Sequence, residues 1–454
     1  MSGIPEYVDE IIQTLERGGY EAWCVGGCVR DRILGREPQD WDVTSSARPE
    51  QTMALFGERA EATGLRHGTV TVRCGTERVE VTTFRRDGAY RDHRRPETVT
   101  FTDSLTEDLR RRDFTVNAMA MDRRGTVRDP FGGRKDLESG ILRCVGTAEE
   151  RLREDALRIL RGLRFSACLG LVPEAETEAA MHRCASLLED IAPERIWEEL
   201  RLLCGPWAAE VLRRFPDVLA VFWPETAAMV GFDQHSRHHC YDVWEHTLHA
   251  LAAVPGETVL RCTALLHDVG KPVCFTLDSA GNGHFPGHPE QGAVLADAML
   301  RRLRVDNRTR EAVVRLVRWH DRNIPRTDAG IGRALSELGE EDLRRLLAIK
   351  RADNLAQARQ DLLGEIRLAG EILDRLVADG ACVRIDQLAV RGGDLAELGL
   401  AGVQIGRTLR ALLDAVLDGT VPNDRESLMQ YARKTMEETG KGALSRGTFP
   451  FGPP

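Results

Sequence analysis

Two aspartates flank one tryptophan at Asp40-Trp41-Asp42, at the start of a run with strand character. Side chains at i and i+2 of a strand share a face, so the two carboxylates converge. Convergent carboxylates repel unless a divalent cation lies between them. Magnesium takes one or two carboxylates plus substrate phosphates, which fits nucleotidyl transfer by two metals. Glu80, on the later strand-like run Val79–Phe84, is placed to supply a third carboxylate. Upstream, Gly26-Gly27 follows a short apolar strand and opens a helix carrying Arg30 and Asp31. Glycines there let backbone N–H groups approach a phosphate at a helix start that favours negative charge. No Gly-Lys-Ser or Gly-Lys-Thr follows, so this is not a Walker loop. The segment Asp108–Ala118, DLRRRDFTVNA, joins an arginine cluster to Asp113, an apolar Phe114 and Asn117. Arg112 in that cluster suits the phosphates of a nucleotide. Further on, one helix is expected from Glu149 to Gly170, carrying Glu154, Asp155, Arg158, Arg161 and Arg164. Asp155, Arg158 and Arg161 fall three apart on one slanting row, and Arg164 continues it after drifting round the helix. Taken singly, each pattern has a plain structural reading: a tight turn, a solvated Asp-x-Asp turn, a helix end, a salt-bridge ladder.

A second set of residues is rich in imidazole. Nine of the twelve histidines lie between His235 and His320. His267-Asp268 follows an apolar helical run in ALLHDVGKP, and this pair with its Gly-Lys-Pro resembles the HD superfamily of metal-dependent phosphohydrolases. The supporting positions occur in order: His246 in VWEHT, His288 in GHPEQG, His320 in RWHD and Asp353 in RADNLAQ. The resemblance implies His246, His267, Asp268 and Asp353 as metal ligands, with His288 and His320 as further ligands or phosphate contacts. Imidazole and carboxylate together suit a borderline transition metal such as Mn, Ni, Co or Fe. His235, His238, His239, His249 and His284 receive no role. Nine arginines between Arg301 and Arg326 form either an RNA-phosphate surface or a solvated helix face.

These residues need two kinds of scaffold. Residues 1–150 mix strand and helix signals: Ala22–Val25, Trp41–Thr44, Thr69–Cys74, Val79–Phe84 and Ile141–Val145 as strands, with helices at the amino terminus and at Val29–Leu34. From about residue 149 the pattern is helical, broken by Gly and Pro. The expected class is α+β: an N-terminal α/β head with a small mixed sheet, then an all-α neck, body and HD domain. The expected division is 1–148 head, 149–230 neck and body for base and RNA binding, 231–370 HD domain and 371–454 C-terminal helical tail. Residues 439–454 read as a disordered tail.

Composition agrees. The length of 454 residues allows two to four domains. A hydrophobic fraction of 42% excludes global disorder, and a net charge of −9 excludes a globally basic coat. Only five basic residues are lysines, so arginine number alone carries no argument. No apolar run is long enough to span a membrane, and the start lacks the apolar core of a signal peptide. Eleven scattered cysteines without a C-x-x-C pair read as free thiols of a cytoplasmic protein.

Gly26-Gly27-x-x-Arg30-Asp31, Asp40-x-Asp42, Arg112-Asp113-Phe114-x-x-Asn117 and Glu154-Asp155-x-x-Arg158 occur in that order. The series resembles the class II tRNA nucleotidyltransferases, the CCA-adding enzymes and their poly(A) polymerase relatives, over about residues 20–205. Cys28 departs from the smaller residue usual in that loop. The resemblance implies Gly27 and Arg30 on the nucleotide phosphates, magnesium on Asp40 and Asp42, and Arg112 on the triphosphate and ribose. It implies Asp155 and Arg158 on the edge of the incoming base, with Arg161 and Arg164 beside them. A carboxylate accepts from the exocyclic amine of C or A, and a guanidinium donates to the adjacent ring acceptor. Such an enzyme takes CTP, ATP and tRNA as partners. The flexible loop of this family, here Arg85–Glu107, argues against addition of C alone. The enzyme alternatives are addition of A only and poly(A) polymerisation. A non-enzymatic alternative is a nucleotide-sensing HD protein with an RNA-binding remnant as its first domain.

Overall fold

The computed structural model describes residues 4–88, 98–203, 205–236, 240–357 and 361–443. His238, His239, Cys204, the middle of the 85–107 loop and the tail beyond residue 443 lie outside the described residues.

The head begins with helix α1 (Glu6–Arg17), whose Val8, Ile11, Ile12 and Leu15 form one buried stripe at helical spacing. It lies against a seven-stranded sheet. The strands are β1 (Ala22–Val25), β2 (Asp42–Ser45), β3 (Ala60–Gly64), β4 (Thr69–Cys74), β5 (Glu77–Thr83), β8 (Ala120–Met121) and β9 (Val127–Arg128), in the order β3-β4-β5-β2-β1-β8-β9. Within this sheet β2 and β5 are the one parallel pair among the described residues, and their register sets Asp42 beside Glu80. Helix α2 (Gly27–Ile33) leaves β1 directly, and α3 (Pro49–Phe56) follows β2. Between β5 and β8, the strands β6 (Arg85–Asp87) and β7 (Val99–Phe101) pair antiparallel, ahead of α4 (Leu105–Arg110). The two described ends of the stretch read as a flexible loop are therefore paired with each other. Three-residue strands are too short to show alternation in sequence.

The neck follows α5 (Gly133–Glu138). The single helix expected over 149–170 is in fact two, α6 (Ala148–Glu154) and α7 (Leu157–Leu169). Asp155 between them is extended, at φ −140° and ψ 102°, and its Oδ1 accepts from the Leu157 N–H at 3.2 Å. An aspartate that offers its own backbone a hydrogen bond favours a helix start over a helix interior. Next come α8 (Ala175–Arg183), α9 (Pro193–Arg201), α10 (Ala208–Arg214) and α11 (Pro216–Phe222). The histidine-rich block is α12 (Val243–Ala253), α13 (Thr258–Leu266), the short α14 (Lys271–Cys274), α15 (His288–Arg302), α16 (Asn307–Trp319) and α17 (Asp328–Leu355), the last broken at Gly339. A single hydrophobic core runs from Val8 through the neck to α17 and on into α18 (Leu363–Ala378). A separate core begins at Leu388, where α20 (Val403–Leu417) and α21 (Arg425–Ala443) follow the short α19 (Gly392–Ala396). Helix α21 extends through residues 439–443, which the sequence had suggested were disordered.

Candidate functional site

The glycine loop, the carboxylates and the arginines line one cleft of about 740 Å³ between the head and α7. Gly26, Gly27, Arg30, Asp40, Asp42, Arg112, Asp113, Asn117, Asp155, Arg158, Arg161 and Arg164 all face it. Gly26 has φ +82°, open to glycine, and a Cβ there would lie 3.0 Å from Arg112 Nη1. The glycine lets the arginine lie against the turn that opens α2.

The carboxylates fall into two kinds. Asp113 is buried and fully engaged: it accepts from the Phe114 N–H at 2.8 Å, Asn117 Nδ2 at 3.2 Å and Arg161 Nε at 2.8 Å. Burial pushes its carboxyl up, but Arg161 and these donors hold it at about 2. Asn117 passes the order on, its Oδ1 accepting from Arg30 Nη1 at 2.7 Å. Asp40, Asp42 and Glu80, by contrast, have no ion pair among the described residues. Burial pushes the Asp42 carboxyl up; Arg112 opposes this, while Glu80 and Asp40 push it further up. Asp40 and Asp42, on the cleft wall with unspent oxygens, suit a divalent cation, while Glu80 sits beside Asp42 in register but outside the cleft lining. Cys28, in the glycine loop, is turned inward, its thiol pushed up to about 11 by burial.

Several residues in or behind the cleft received no role in the reading of the sequence. Asp108, fully buried, accepts from Thr44 Oγ1, the Arg85 N–H and Arg111 Nε, and lies 3.7 Å from Arg112 Nη2. It ties β2, the strand that opens with Asp42, to the arginines. Arg111 was visible only as part of its cluster. On α9, Arg195 meets Asp155, and Glu199 meets Arg164 at 2.6 Å and Arg161 at 3.8 Å. Arg158 does not pair with Asp155. Its guanidinium turns inward to Glu154 at 2.6 Å and to the carbonyls of Arg151 and Arg111. Arg30, Arg161 and Arg164 surround the Phe165 ring at 5.2, 5.4 and 4.5 Å.

The histidines meet elsewhere. His246 comes from α12, His267 and Asp268 follow α13, His288 opens α15, His320 follows α16 and Asp353 lies on α17. His246, His267 and Asp268 form one possible metal group and Asp268, His288 and His320 another, all five buried. Each of the four imidazoles directs Nδ1 at a backbone carbonyl: Ala356, Ala264, Phe285 and Val317. Donation there places the proton on Nδ1 and leaves Nε2 bare. Yet the Nε2 atoms of His246 and His267 are 3.4 Å apart, and those of His288 and His320 3.3 Å. Facing ring nitrogens at that range, with carboxylate oxygens beside them, suit a shared cation, whether a proton or a metal ion. Asp353 lies 2.9 Å from His246 Nε2 and Lys271 Nζ 2.7 Å from Asp268. Burial raises both carboxyls, but the histidines, and Lys271 for Asp268, bring them well below the usual range. Gly270 is required by space: a Cβ would lie 2.3 Å from the His288 carbonyl. His249 and His284 lie outside both groups.

Three family models match the chain: the poly A polymerase head domain over residues 22–143, a probable RNA- and SrmB-binding site of polymerase A over 170–228, and the HD domain over 237–358. The CCA-adding enzyme of Lactiplantibacillus plantarum is 37% identical over 93% of this chain and 94% of its own length. The chain belongs to the CCA-adding enzymes. The Geobacillus kaustophilus CCA-adding enzyme is 50% identical, in a match spanning 48% of this chain and about half (55%) of that relative. The crystal structure of the Bacillus stearothermophilus CCA-adding enzyme with CTP is 30% identical, with a TM-score of 0.71 over 96% of this chain and 98% of that one. The expected α+β class is borne out, as are a metal-dependent nucleotidyltransferase head and an HD domain. No helix among the described residues is long and apolar enough to cross a membrane.

Proposed function

We propose that this chain builds or repairs the 3′-terminal CCA of tRNA from CTP and ATP, without a nucleic-acid template. The observation that carries the reading is one cleft holding two unpaired carboxylates, Asp40 and Asp42, against ordered arginines, with Asp155 at its wall. Asp40 and Asp42 would hold Mg²⁺, beside Glu80, and the metal would supply positive charge at the reacting phosphate and its leaving group. Gly26, Gly27, Arg30 and Arg112 bind and orient the triphosphate, with Arg30 held by Asn117 and Asp113. Asp155 reads the base, joined by Arg158 once its guanidinium exchanges its contacts to Glu154 and the two carbonyls for the nucleotide, and Arg161 and Arg164 stand beside them. The tRNA 3′-hydroxyl attacks the α-phosphate and pyrophosphate departs. Residues 1–148 form the head, 149–230 the neck, 231–370 the HD domain and 371–454 the C-terminal tail. The setting is the cytoplasm, in keeping with unpaired cysteines throughout the described residues.

Labelled CTP and ATP, offered to tRNA lacking its last three nucleotides, test this reading. Incorporation of both in the order C, C, A is expected; A alone, or a long A tract, would favour the A-adding enzyme or the poly(A) polymerase. Asp40→Ala and Asp42→Ala should each abolish both additions while tRNA binding survives. More than a few per cent of activity in both variants would remove the carboxylates from the mechanism.

The facing imidazoles support a second activity. His246, His267, Asp268 and Asp353 would hold a transition metal such as Mn, Ni, Co or Fe, and His288 and His320, sharing Asp268, a further one. The metal would supply an activated water for hydrolysis of 2′,3′-cyclic or terminal phosphates. Metal content after equilibrium dialysis, wild type against His267→Ala with Asp268→Ala, tests the ligand set.

A further inference from the structure

Beside the clustered histidines stands a row of rings that the hydrophobic core does not use. The Phe285 ring centre is 6.4 Å from that of His288, and Lys271 Nζ lies 5.4 Å from it. Phe275 follows at 5.6 Å from Phe285, and the exposed His235 ring at 5.8 Å from Phe275. Phe275 and Phe285 are half-buried and belong to none of the hydrophobic clusters of the described residues. Phe232 anchors the row, packing on the main core and meeting Phe275 edge-on at 5.3 Å. Phenylalanine left half in water forgoes part of the burial that normally stabilises it. The cost is offset when a ligand covers the ring. The rings are also held in place. Phe275 enters and Phe285 leaves a short hairpin, in which Thr276–Leu277 pairs with Gly283–His284. The Gly283 N–H donates to the His235 carbonyl at 2.8 Å, and a Cβ on Gly283 would strike the Gln234 carbonyl. His235 holds φ +46°, uncommon for a residue with a side chain, and its N–H donates to Asp233 Oδ1 at 2.8 Å. Gln234, buried, accepts from Lys271 Nζ at 2.9 Å, and that Nζ lies 2.7 Å from Asp268. One segment thus fixes both the hairpin with its rings and the lysine beside the histidine cluster.

We propose that Phe275 and Phe285 form a stacking face for the base of a nucleotide whose phosphate lies at the histidine cluster. This rests on the reading of that cluster as a phosphohydrolase site, and the test separates the two. Stacking on an aromatic ring is indifferent to which base is present, because every base has a π-face. The site therefore takes phosphates that carry a nucleoside of any base, free or at the end of an RNA, and disfavours phosphates without a ring. It differs in this from the head cleft, where a carboxylate and guanidinium groups are placed to select C and A.

Full-length wild type, Phe275→Leu, Phe285→Leu and Phe285→Tyr, loaded with manganese, are compared on adenosine 2′-monophosphate, cytidine 2′-monophosphate and glycerol 2-phosphate. Each Leu variant should raise KM for both nucleotides roughly five- to fifty-fold and leave glycerol 2-phosphate unchanged. Phe285→Tyr keeps the ring and should stay near wild type, which separates stacking from a folding fault. A trinucleotide ending in a 2′-phosphate should depend on Phe285 in the same way, and its KM against that of the free nucleotide tells an RNA end from a free nucleotide as the source. Binding gives a readout without turnover. In equilibrium dialysis with a chelator present, Phe285→Leu should hold adenosine 2′-monophosphate more weakly than wild type, the head being the same in both. A KM rise of equal size for glycerol 2-phosphate, a rise for one base alone, or no rise at all overturns the stacking face. If wild type hydrolyses none of these substrates, the phosphohydrolase reading falls and dialysis decides the stacking face, equal binding by wild type and Phe285→Leu overturning it. Incorporation of CTP and ATP into tRNA should be unchanged in every variant.

Discussion

At the scale of single residues, partners decide which carboxylates serve as structure and which stay free for chemistry. Asp113 and Asp108 are enclosed by donors, whereas Asp40 and Asp42 keep their oxygens unspent in the same cleft. A depressed native pKa makes Asp113 a measurable source of stability. Its folded value near 2 lies below the ordinary aspartate value of about 4. Its contribution, roughly 2 kcal/mol, is therefore complete above pH about 4 and is lost as the pH falls through 2. Asp113→Asn should unfold at lower temperature than wild type at pH 6, and the gap should close between pH 4 and pH 2. A gap that stays constant over that range would mean the carboxylate is not held in its charged form.

At the scale of elements, the turn from β1 into α2 does more than reverse the chain. Its left-handed Gly26 leaves room for Arg112 from a segment some eighty residues away. Gly26→Ala places a methyl 3.0 Å from Arg112 Nη1 and forces a side-chain residue to φ +82°. The strain should cost about 1–2 kcal/mol of stability. Displacement of Arg112 should lower kcat/KM for both CTP and ATP by roughly ten- to a hundred-fold, with C-over-U choice unaltered. Steady-state incorporation of each triphosphate checks this; a loss of selectivity instead would place Arg112 at the base. The α6–α7 break acts in the same way. It frees Asp155 from a helical row and presents its carboxylate to α9.

At the scale of the whole molecule, one hydrophobic core joins head, neck and histidine-rich helices, but the two clusters of polar chemistry are built from separate elements. His267→Ala with Asp268→Ala should remove the proposed phosphohydrolase activity and lower transition-metal uptake, while CCA addition continues. Loss of CCA addition in a folded double variant would show that the sites are coupled. The arginines of 301–326 bear on RNA binding at this scale. Eight of the nine meet carboxylates: Arg301, Arg302, Arg304, Arg308, Arg310, Arg315, Arg322 and Arg326. Those pairs support the helix-face reading over an RNA-phosphate surface.

What the sequence by itself determined were the chemical groups and their order: Asp40-x-Asp42, the glycine pair, the arginine segment and the spaced histidines. Short-range rules suffice for these, because alternation in strands, periodicity in helices and turn glycines are local. The same rules located β1 and β4 residue for residue. They missed β3, β6, β7 and β8, where two to five residues are held by pairing with another strand rather than by a pattern of their own. Tertiary structure alone decided the partners. Nothing in the order of residues ties Arg195 to Asp155, Asp108 to Thr44 and Arg85, or His246 to Asp353. Those pairings exist because burial leaves each charged or polar group to find a complement wherever packing brings one, and packing is settled by the whole core.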